Sequence, residues 1–325
     1  MDLSIVIVNF NTSDCLDDCL SSIQKYVRDL NFEIIVADNA SADNSVEIVK
    51  NNYQDVILIT NKTNIGFGAA VNKAVKIAEG KYVLVLNPDN IFISNCLPNL
   101  INIMENDKNI GILSCKILKG TLDNMEHNIS AYKYPNYYGE VLEAMPFLNK
   151  LAAKFDIDRQ YKSEIFNNTN LIDVDWVGGN FLLVRMTLFE DIGGFDENYF
   201  MYYEEIDLCL RAKRSGWRVC YIPSENIFHE GQRSSNKFRE ECDFYCAESQ
   251  LYYIARNFGF IKSLSFMVLI CLLSSLKVLF WSFQVILPKA PYYRAAPKLI
   301  NHLRILKGIF RGRYFRKPAI FRKIK

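Results

Sequence analysis

Apolar and polar positions alternate in blocks along roughly the first 90 residues. Leu3-Ser-Ile-Val-Ile-Val-Asn9 is a short β-branched run and predicts a buried parallel strand. Cys15, Leu16, Cys19, Leu20 and Ile23 recur at helical spacing, with Ser13 placed to cap that helix. Phe32 to Ala37 predicts a second strand. The polar loop Asp38 to Asp43 follows, then a helix through Val46, Ile48 and Val49. Val56 to Thr60 predicts a third strand. Asn64-Ile-Gly-Phe-Gly68 leads into a helix running to about Glu79. Tyr82 to Leu86 predicts a fourth strand, ending in Asn87-Pro88-Asp89. This alternation argues for a parallel sheet with helices on both faces. Ligands of such sheets bind at the carboxyl ends of the strands. There lie the polar pairs Asn9/Asn11, Asp38/Asn39 and Asn64/Gly66, and Asp89.

Positions 120–170 are polar and aromatic with weak periodicity, and predict an irregular insertion. Regular patterning returns at Asp173-Val-Asp-Trp-Val-Gly-Gly-Asn180 and the strand Phe181 to Val184. Gly193-Gly-Phe-Asp-Glu197 reads as a turn. Glu204 to Arg214 reads as a helix with acidic residues first and basic residues last, matching its dipole. Trp217 to Ile222 predicts another strand.

Composition changes this picture in one respect. The 325 residues carry 38 Lys+Arg and 36 Asp+Glu, a net charge of +2. Positions 251–325 hold fifteen of the basic residues and no acidic one, so the preceding body is strongly acidic. Such asymmetry points to an anionic surface as partner. Half the residues are hydrophobic, which excludes a disordered or fibrous protein. Nine cysteines cannot all pair within the chain, and their spacings are not those of a zinc site. Free thiols and the lack of a basic n-region after Met1-Asp2 set the expectation of a cytoplasmic catalytic body.

Several residues carry candidate chemistry. A carboxylate at a strand end, as at Asp89, can bind a hard divalent ion carrying a diphosphate; Asn87-Pro-Asp-Asn90 also reads as a plain turn. Glu204, Glu205 and Asp207 crowd a helix start. One of them can take a proton from a hydroxyl, or all three are ordinary helix-start acids. His229, one of three histidines, is a candidate metal or phosphate contact, or a satisfied structural residue. Asn64-Ile-Gly66-Phe-Gly68 lacks the third glycine of a dinucleotide fingerprint. It can approach a base or ribose through its backbone, or simply form a tight loop.

In combination these strings are more specific. Ser4 to Ser13, Ile34 to Ser41, Asn64 to Phe67, Tyr82 to Asp89, Val174 to Gly179, Gly193 to Glu197, Tyr203 to Arg211, and His229-Glu-Gly with Ser234-Ser235 occur in order. Together they resemble the inverting glycosyltransferases of family 2, most closely a bacterial rhamnosyltransferase-like branch. The resemblance implies an α/β GT-A fold: a Rossmann-like, mostly parallel sheet with helices on both faces. It implies a catalytic domain over 1–240 and a helical, basic, membrane-associating region over 241–325. It also implies roles. Asn9, Asn11, Asp38, Asn39, Asn64, Gly66, Phe67, Asn87 and Asp89 would bind the nucleotide sugar. Asp89 and His229 would hold Mg2+ or Mn2+. Trp176, Gly178 and Gly179 would shape the sugar and acceptor region. Glu205 takes the place of the usual catalytic Asp, with Glu204 and Asp207 beside it. Its extra methylene moves the carboxylate by about an ångström, a distance to which reaction geometry responds.

The implied reaction is a single displacement with inversion. The donor would be dTDP-rhamnose and the acceptor a hydroxyl of a lipid-linked glycan in surface polysaccharide synthesis. The alternatives are a UDP-hexose or galactofuranose donor, or a weakly catalytic nucleotide- or carbohydrate-binding module. Ser263 to Pro288 is apolar and long enough to span a bilayer, but Lys277 lies near its middle. Arg311-Gly-Arg-Tyr-Phe-Arg-Lys317 follows, mixing aromatics and cations suited to anionic headgroups. This predicts a helix lying in the interface at the cytoplasmic face of the inner membrane, rather than a span or a nucleic-acid contact. Nothing in the chain specifies an oligomeric state.

Overall fold

The computed structural model describes residues 1–121, 124–128, 130–145, 169–229, 239–286 and 292–311. They fall into two compact units. The first comprises the described residues of 1–134, 159–200 and 204–234, and the second those of 135–158, 201–203 and 235–325.

Four parallel strands begin the first unit: β1 (Leu3–Asn9), β2 (Phe32–Asp38), β3 (Ile57–Thr60) and β4 (Tyr82–Leu86). Their order is β3-β2-β1-β4. Helices connect them: α1 (Ser13–Tyr26), α2 (Ser45–Asn52) and α3 (Phe67–Val75), followed after β4 by α4 (Leu97–Asn106). All seven residues of β1 are buried because both faces of the sheet are covered. Leu3, Ile5 and Ile7 pack with Leu16 of α1, Val49 of α2 and Leu100 of α4. Val6 and Val8 point the other way, toward Ala70 and Val71 of α3. Leu188 of α6 (Met186–Asp191) and Leu208 of α7 (Glu204–Arg214) complete that second layer.

The rest of the sheet is mixed. β11 (Phe181–Arg185) runs antiparallel to β4 and to β6 (Ile110–Thr121). β12 (Arg218–His229) is parallel to β6, and its end pairs antiparallel with the two-residue β5 (Asn90–Ile91). β7 (Asn124–Asn128) forms a hairpin with β6, and β9 (Ile172–Asp173) pairs with β12. β8 (Ala131–Tyr132) and β10 (Trp176–Val177) form a separate two-stranded sheet.

Several expectations need correction. Ser13 is the first residue of α1 and not its cap. The capping acceptor comes from the next loop, where Asp43 Oδ2 takes the Ser13 N–H at 2.9 Å. α3 ends at Val75 rather than near Glu79, because the chain must turn to deliver Gly80 against β1. A Cβ at Gly80 would stand 2.4 Å from the Ser4 nitrogen. The stretch expected to be irregular contains β7, β8 and α5 (Tyr137–Glu143), though residues 146–168 lie outside the described residues. β12 does not stop at Ile222. It shifts register between Ile222 and Asn226 and continues to His229.

The second unit is helical: α5, α8 (Arg239–Asn257), α9 (Gly259–Ile286) and α10 (Tyr292–Phe310). α9 packs against both α8 and α10. It is long and apolar enough to cross a membrane, with mean hydropathy 2.1 over the most apolar 18-residue window within Gly259–Val285. Pro288 and the tail beyond Arg311 lie outside the described residues.

Arg185, at the end of β11, is a buried cation in the first unit. Its guanidinium donates to Ile110 O (3.1 Å), Tyr82 Oη (3.1 Å) and Met104 O (2.7 Å), and it lies over the Tyr82 ring. Replacing it strands two buried carbonyls. Arg185→Met is expected to lower stability by about 3 kcal/mol, read as a shift of the urea unfolding midpoint.

Candidate active site

The carboxyl ends of β1, β2 and β3 carry a continuous polar network. Register places Asn9 opposite Asp38 and Asp38 opposite Thr60. Asn9 Nδ2 donates to Asp38 Oδ1 (2.9 Å) and to Ser41 Oγ (3.0 Å), while Thr12 Oγ1 donates to Asn9 Oδ1 (2.6 Å). The second Asp38 oxygen accepts the Ser41 N–H at 3.0 Å. Each carboxylate oxygen thus holds one of these bonds and has a further lone pair to offer. Asn11, with φ of 55°, accepts the Ala42 N–H at 2.7 Å and so fixes the loop after β1 to the loop after β2.

Asn39 extends the network toward β3. Its Nδ2 donates to Gly66 O (3.1 Å), and its Oδ1 accepts from Asn61 Nδ2 (2.8 Å). Lys73 of α3 donates to Asn61 Oδ1 at 2.6 Å. Gly66 has φ of 89°, accepts no side chain, and donates its N–H to Asn64 Oδ1 (3.0 Å). A Cβ at Gly66 would stand 2.5 Å from Phe200 O. Phe67 then opens α3, its N–H held by the same carbonyl at 2.9 Å.

Asp89 and His229 are 140 positions apart, yet register makes them neighbours. β5 pairs with the end of β12, His229 opposite Asn90, and this sets Asp89 beside the imidazole. His229 Nε2 lies 3.0 Å from Asp89 Oδ1. The angle is wrong for a hydrogen bond, and both buried ring nitrogens lack such a partner. Two ligands of an octahedral ion, each about 2.1 Å from it at right angles, stand about 3 Å apart. The pair therefore fits two adjacent positions around Mg2+ or Mn2+, with phosphate and water oxygens for the rest. Among the described residues no cluster of three or more His, Cys, Asp or Glu forms a fuller cage. Asn87 and Asn90 hold the turn: Asn87 N and Asn90 Nδ2 both bond Asn180 O, at 3.0 and 2.8 Å.

The first turn of α7 brings three carboxylates together. Glu204 and Glu205 each bury one carboxylate oxygen without a hydrogen-bond partner. Burial raises the Glu205 carboxyl from 4.5 to about 7. Burial, then the Glu205 charge, holds the Glu204 carboxyl well above its ordinary value. Asp207 differs: it is paired with Arg211 at 2.6 Å within a largely buried salt bridge. The pair joins successive turns of α7.

Gly179 lies against Glu205: a Cβ there would be 3.6 Å from the Glu205 Cβ, an ordinary contact distance. Tyr132 lies close enough that burial, with the Glu205 charge, pushes its hydroxyl up to about 12. Its ring stacks on Trp176 with centroids 4.3 Å apart. Trp176 is pinned by Nε1 donating to Lys133 O (2.9 Å), and Gly178 N bonds Ser130 O (2.9 Å).

The expected residues thus gather into three groups: an asparagine-rich network with the Gly66 loop, the Asp89–His229 pair, and Glu205 with Gly179 and the Tyr132–Trp176 stack. Glu230, Gly231, Ser234 and Ser235 lie outside the described residues. The sequence reading passed over Asn61 and Tyr132. Asn61 was detectable as the polar residue directly after the third strand. Tyr132 sat in a stretch without periodicity, and only the β8–β10 pairing reveals it.

Residues 4–167 match the model for glycosyl transferase family 2. Rhamnosyltransferase WbbL of Escherichia coli K12 is 29% identical over 260 residues, 78% of this chain and 92% of that protein. N-acetylglucosaminyl-diphospho-decaprenol L-rhamnosyltransferase of Mycobacterium tuberculosis H37Rv is 28% identical over 250 residues, 72% of this chain and 78% of that protein. Among solved structures, GalNAc-T7 with UDP, GalNAc and Mn2+ superposes with a TM-score of 0.55 at 15% identity, over 81% of this chain and 53% of that one. A mannosyltransferase from Pyrobaculum calidifontis, bound to GDP-Man and Mn2+, gives 0.50 at 14% identity, over 94% and 86%. These likenesses show a GT-A-like fold, and the matched strings and the family model together make this chain a member of glycosyl transferase family 2.

Proposed function

We propose that the protein transfers a sugar with inversion from a nucleotide donor, dTDP-rhamnose, to a hydroxyl of a lipid-linked glycan in surface polysaccharide synthesis. The observation that carries this reading is Glu205: a buried carboxylate with a raised pKa, against Gly179 and near the Tyr132–Trp176 stack. The relatives named rhamnosyltransferases support the sugar, and the diphospho-decaprenol in one name supports the acceptor class.

Glu205 takes the proton of the acceptor hydroxyl, whose oxygen forms the new bond to the anomeric carbon as the bond to the nucleoside diphosphate breaks. The Tyr132–Trp176 stack offers an apolar face to an acceptor sugar ring. Asp38, Asn9 and the Gly66 loop hold the nucleotide. Asp89 and His229 would hold a divalent ion, whose chemistry when bound is to neutralise charge on the leaving diphosphate.

The pH sign follows from Glu205. Only the carboxylate accepts a proton, so turnover should climb with pH through about 7 and fall about tenfold per unit below it. The folded chain also keeps a proton that the unfolded chain releases above about 4.5, so stability should decline between there and about 7. Glu205→Gln should lower kcat by about a hundredfold or more and remove the acid limb, measured by transfer from dTDP-rhamnose to a polyprenyl-diphosphate acceptor. A stronger preference for UDP-glucose or UDP-galactofuranose in that assay would overturn the donor; an α or β product matching the donor anomer would overturn inversion.

Asp89→Ala should abolish the Mn2+-dependent rise in melting temperature with dTDP, leaving metal-free stability near wild type. An undiminished Mn2+ effect would remove Asp89 from the metal site.

The location we propose is the cytoplasmic membrane face, with residues 241–325 as the attaching region. α9 exposes Ile261, Leu264, Val268, Leu272, Leu276, Leu279 and Phe283 at steps of three and four, with Phe260 and Phe280 widening this into a broad apolar face. Its other side packs on α8 and α10, as for a helix lying in the interface. Nearby Lys298, Arg304 and Lys307 suit anionic headgroups. Leu272→Ser with Leu279→Ser should abolish flotation with phosphatidylglycerol liposomes while far-UV dichroism is unchanged. Retained flotation would count against this face.

A further inference from the structure

Asn39, Asn61, Gly66 and Lys73 all belong to the first unit, where a chain of hydrogen bonds joins them at the ends of β2 and β3. Asn39 directly follows β2, and Asn61 directly follows β3. Their backbones extend the sheet by one step: Asn39 N donates to Asn9 O and Asn61 N to Asp38 O, both at 2.8 Å. The sheet thus anchors both asparagines, and only their side-chain amides remain to be oriented.

An amide can meet its neighbours with either its oxygen or its NH2 group. Here the two ends of the chain remove that freedom. A lysine ammonium only donates, so the Asn61 oxygen must face Lys73, at 2.6 Å. The Asn61 NH2 then turns to the Asn39 oxygen, at 2.8 Å. That leaves the Asn39 NH2 for Gly66 O, at 3.1 Å, and a carbonyl only accepts. Gly66 caps α3, and its carbonyl also takes the first bond of the helix, from Ala70 N at 3.3 Å. Lys73 stands about two turns further along the same helix. α3 therefore fastens its own capping loop through two asparagines at neighbouring strand ends.

Burial makes the direction matter. Asn39 and Asn61 are 2% and 8% exposed, so a reversed amide would set like against like away from water. Lys73 is exposed, so its ammonium can be removed without opening the core.

We propose that Lys73 and Asn61 are positioning residues for the nucleotide: together they direct the Asn39 amide and hold the Gly66 loop ready for the donor. Neither touches a reacting atom. The functional half of this proposal rests on the reading that Asp38 and the Gly66 loop hold the nucleotide. A loop already in its binding conformation gives tighter binding than one that must be ordered, so the effect belongs in donor affinity and not in the chemical step.

The test uses the full chain with Lys73→Met, Lys73→Arg, Asn61→Ala, Lys73→Met combined with Asn61→Ala, and Asp38→Ala. It measures dTDP affinity by calorimetry, kcat, donor and acceptor KM, and amide exchange at Asn64–Gly68. Asn61→Ala should weaken dTDP binding and raise donor KM about tenfold, with kcat and acceptor KM within about twofold. Lys73→Met should weaken binding about threefold, and Lys73→Arg, which keeps a charged donor, should restore most of it. In the Asn61→Ala background Lys73→Met should add less than about 1.5-fold, because the bond it served is already gone. Exchange at Asn64–Gly68 should quicken in Asn61→Ala and Lys73→Met. Asn61→Ser, too short to reach both partners, replaces Asn61→Ala if the latter does not fold. Losses that multiply in the double variant would show Lys73 acting through its charge alone and would overturn the relay. So would wild-type donor KM and exchange in folded Asn61→Ala, or a parallel loss of kcat, acceptor affinity and melting temperature, the mark of a merely structural role. Wild-type dTDP affinity in folded Asp38→Ala, or no dTDP binding by the wild type, would instead overturn the nucleotide reading and the functional half, and the exchange result would still decide the relay.

Discussion

Polar side chains are buried at the carboxyl ends of the parallel strands, and burial obliges them to pair. Asn9, Asp38, Asn39 and Asn61 are nearly inaccessible to water. Each finds its partner in the loop after a neighbouring strand. An unpaired member would cost about 1–3 kcal/mol, so the loops have little freedom to lie elsewhere. The path of Ser41, the turn at Asn11 and the approach of Gly66 all follow from satisfying these groups. The surface we propose for the nucleotide is therefore one already organised by the demands of folding.

The first turn of α7 shows the opposite condition. There two carboxylates are adjacent, and each leaves a buried oxygen unbonded. A helix start tolerates acids, because its dipole favours negative charge, but it does not require them to be desolvated. Local rules are kept throughout the strand-end network and broken at Glu204 and Glu205. Such departures cluster where chemistry is done. The Asp89–His229 approach is of the same kind: close, buried and without a hydrogen bond.

Much of this was legible in the chain and some of it was not. β1, β2 and β4 announce themselves as apolar runs because both faces are covered, and α7 by charges matched to its dipole. The mixed half of the sheet was harder to read. β6 carries Ser114, Lys116 and Lys119 along its length, and its pairing with β11 and β12 involves distant segments. Its hairpin with β7 lay in a stretch with no period. The motif residues could be picked out by resemblance, but the 3.0 Å approach of Asp89 and His229 depends on a two-residue strand. No local pattern encodes that pairing.

The two-residue pairing of β5 with the end of β12 also fixes an order of events. As the chain leaves the ribosome, every member of the asparagine network is present once Lys73 has been made. Asp89 follows soon after, but its partner arrives 140 residues later. At synthesis rates of about 5–20 residues per second, that interval lasts roughly 7–28 seconds. On the assignments proposed above, the residues for the nucleotide are synthesised well before the metal pair and the base are complete.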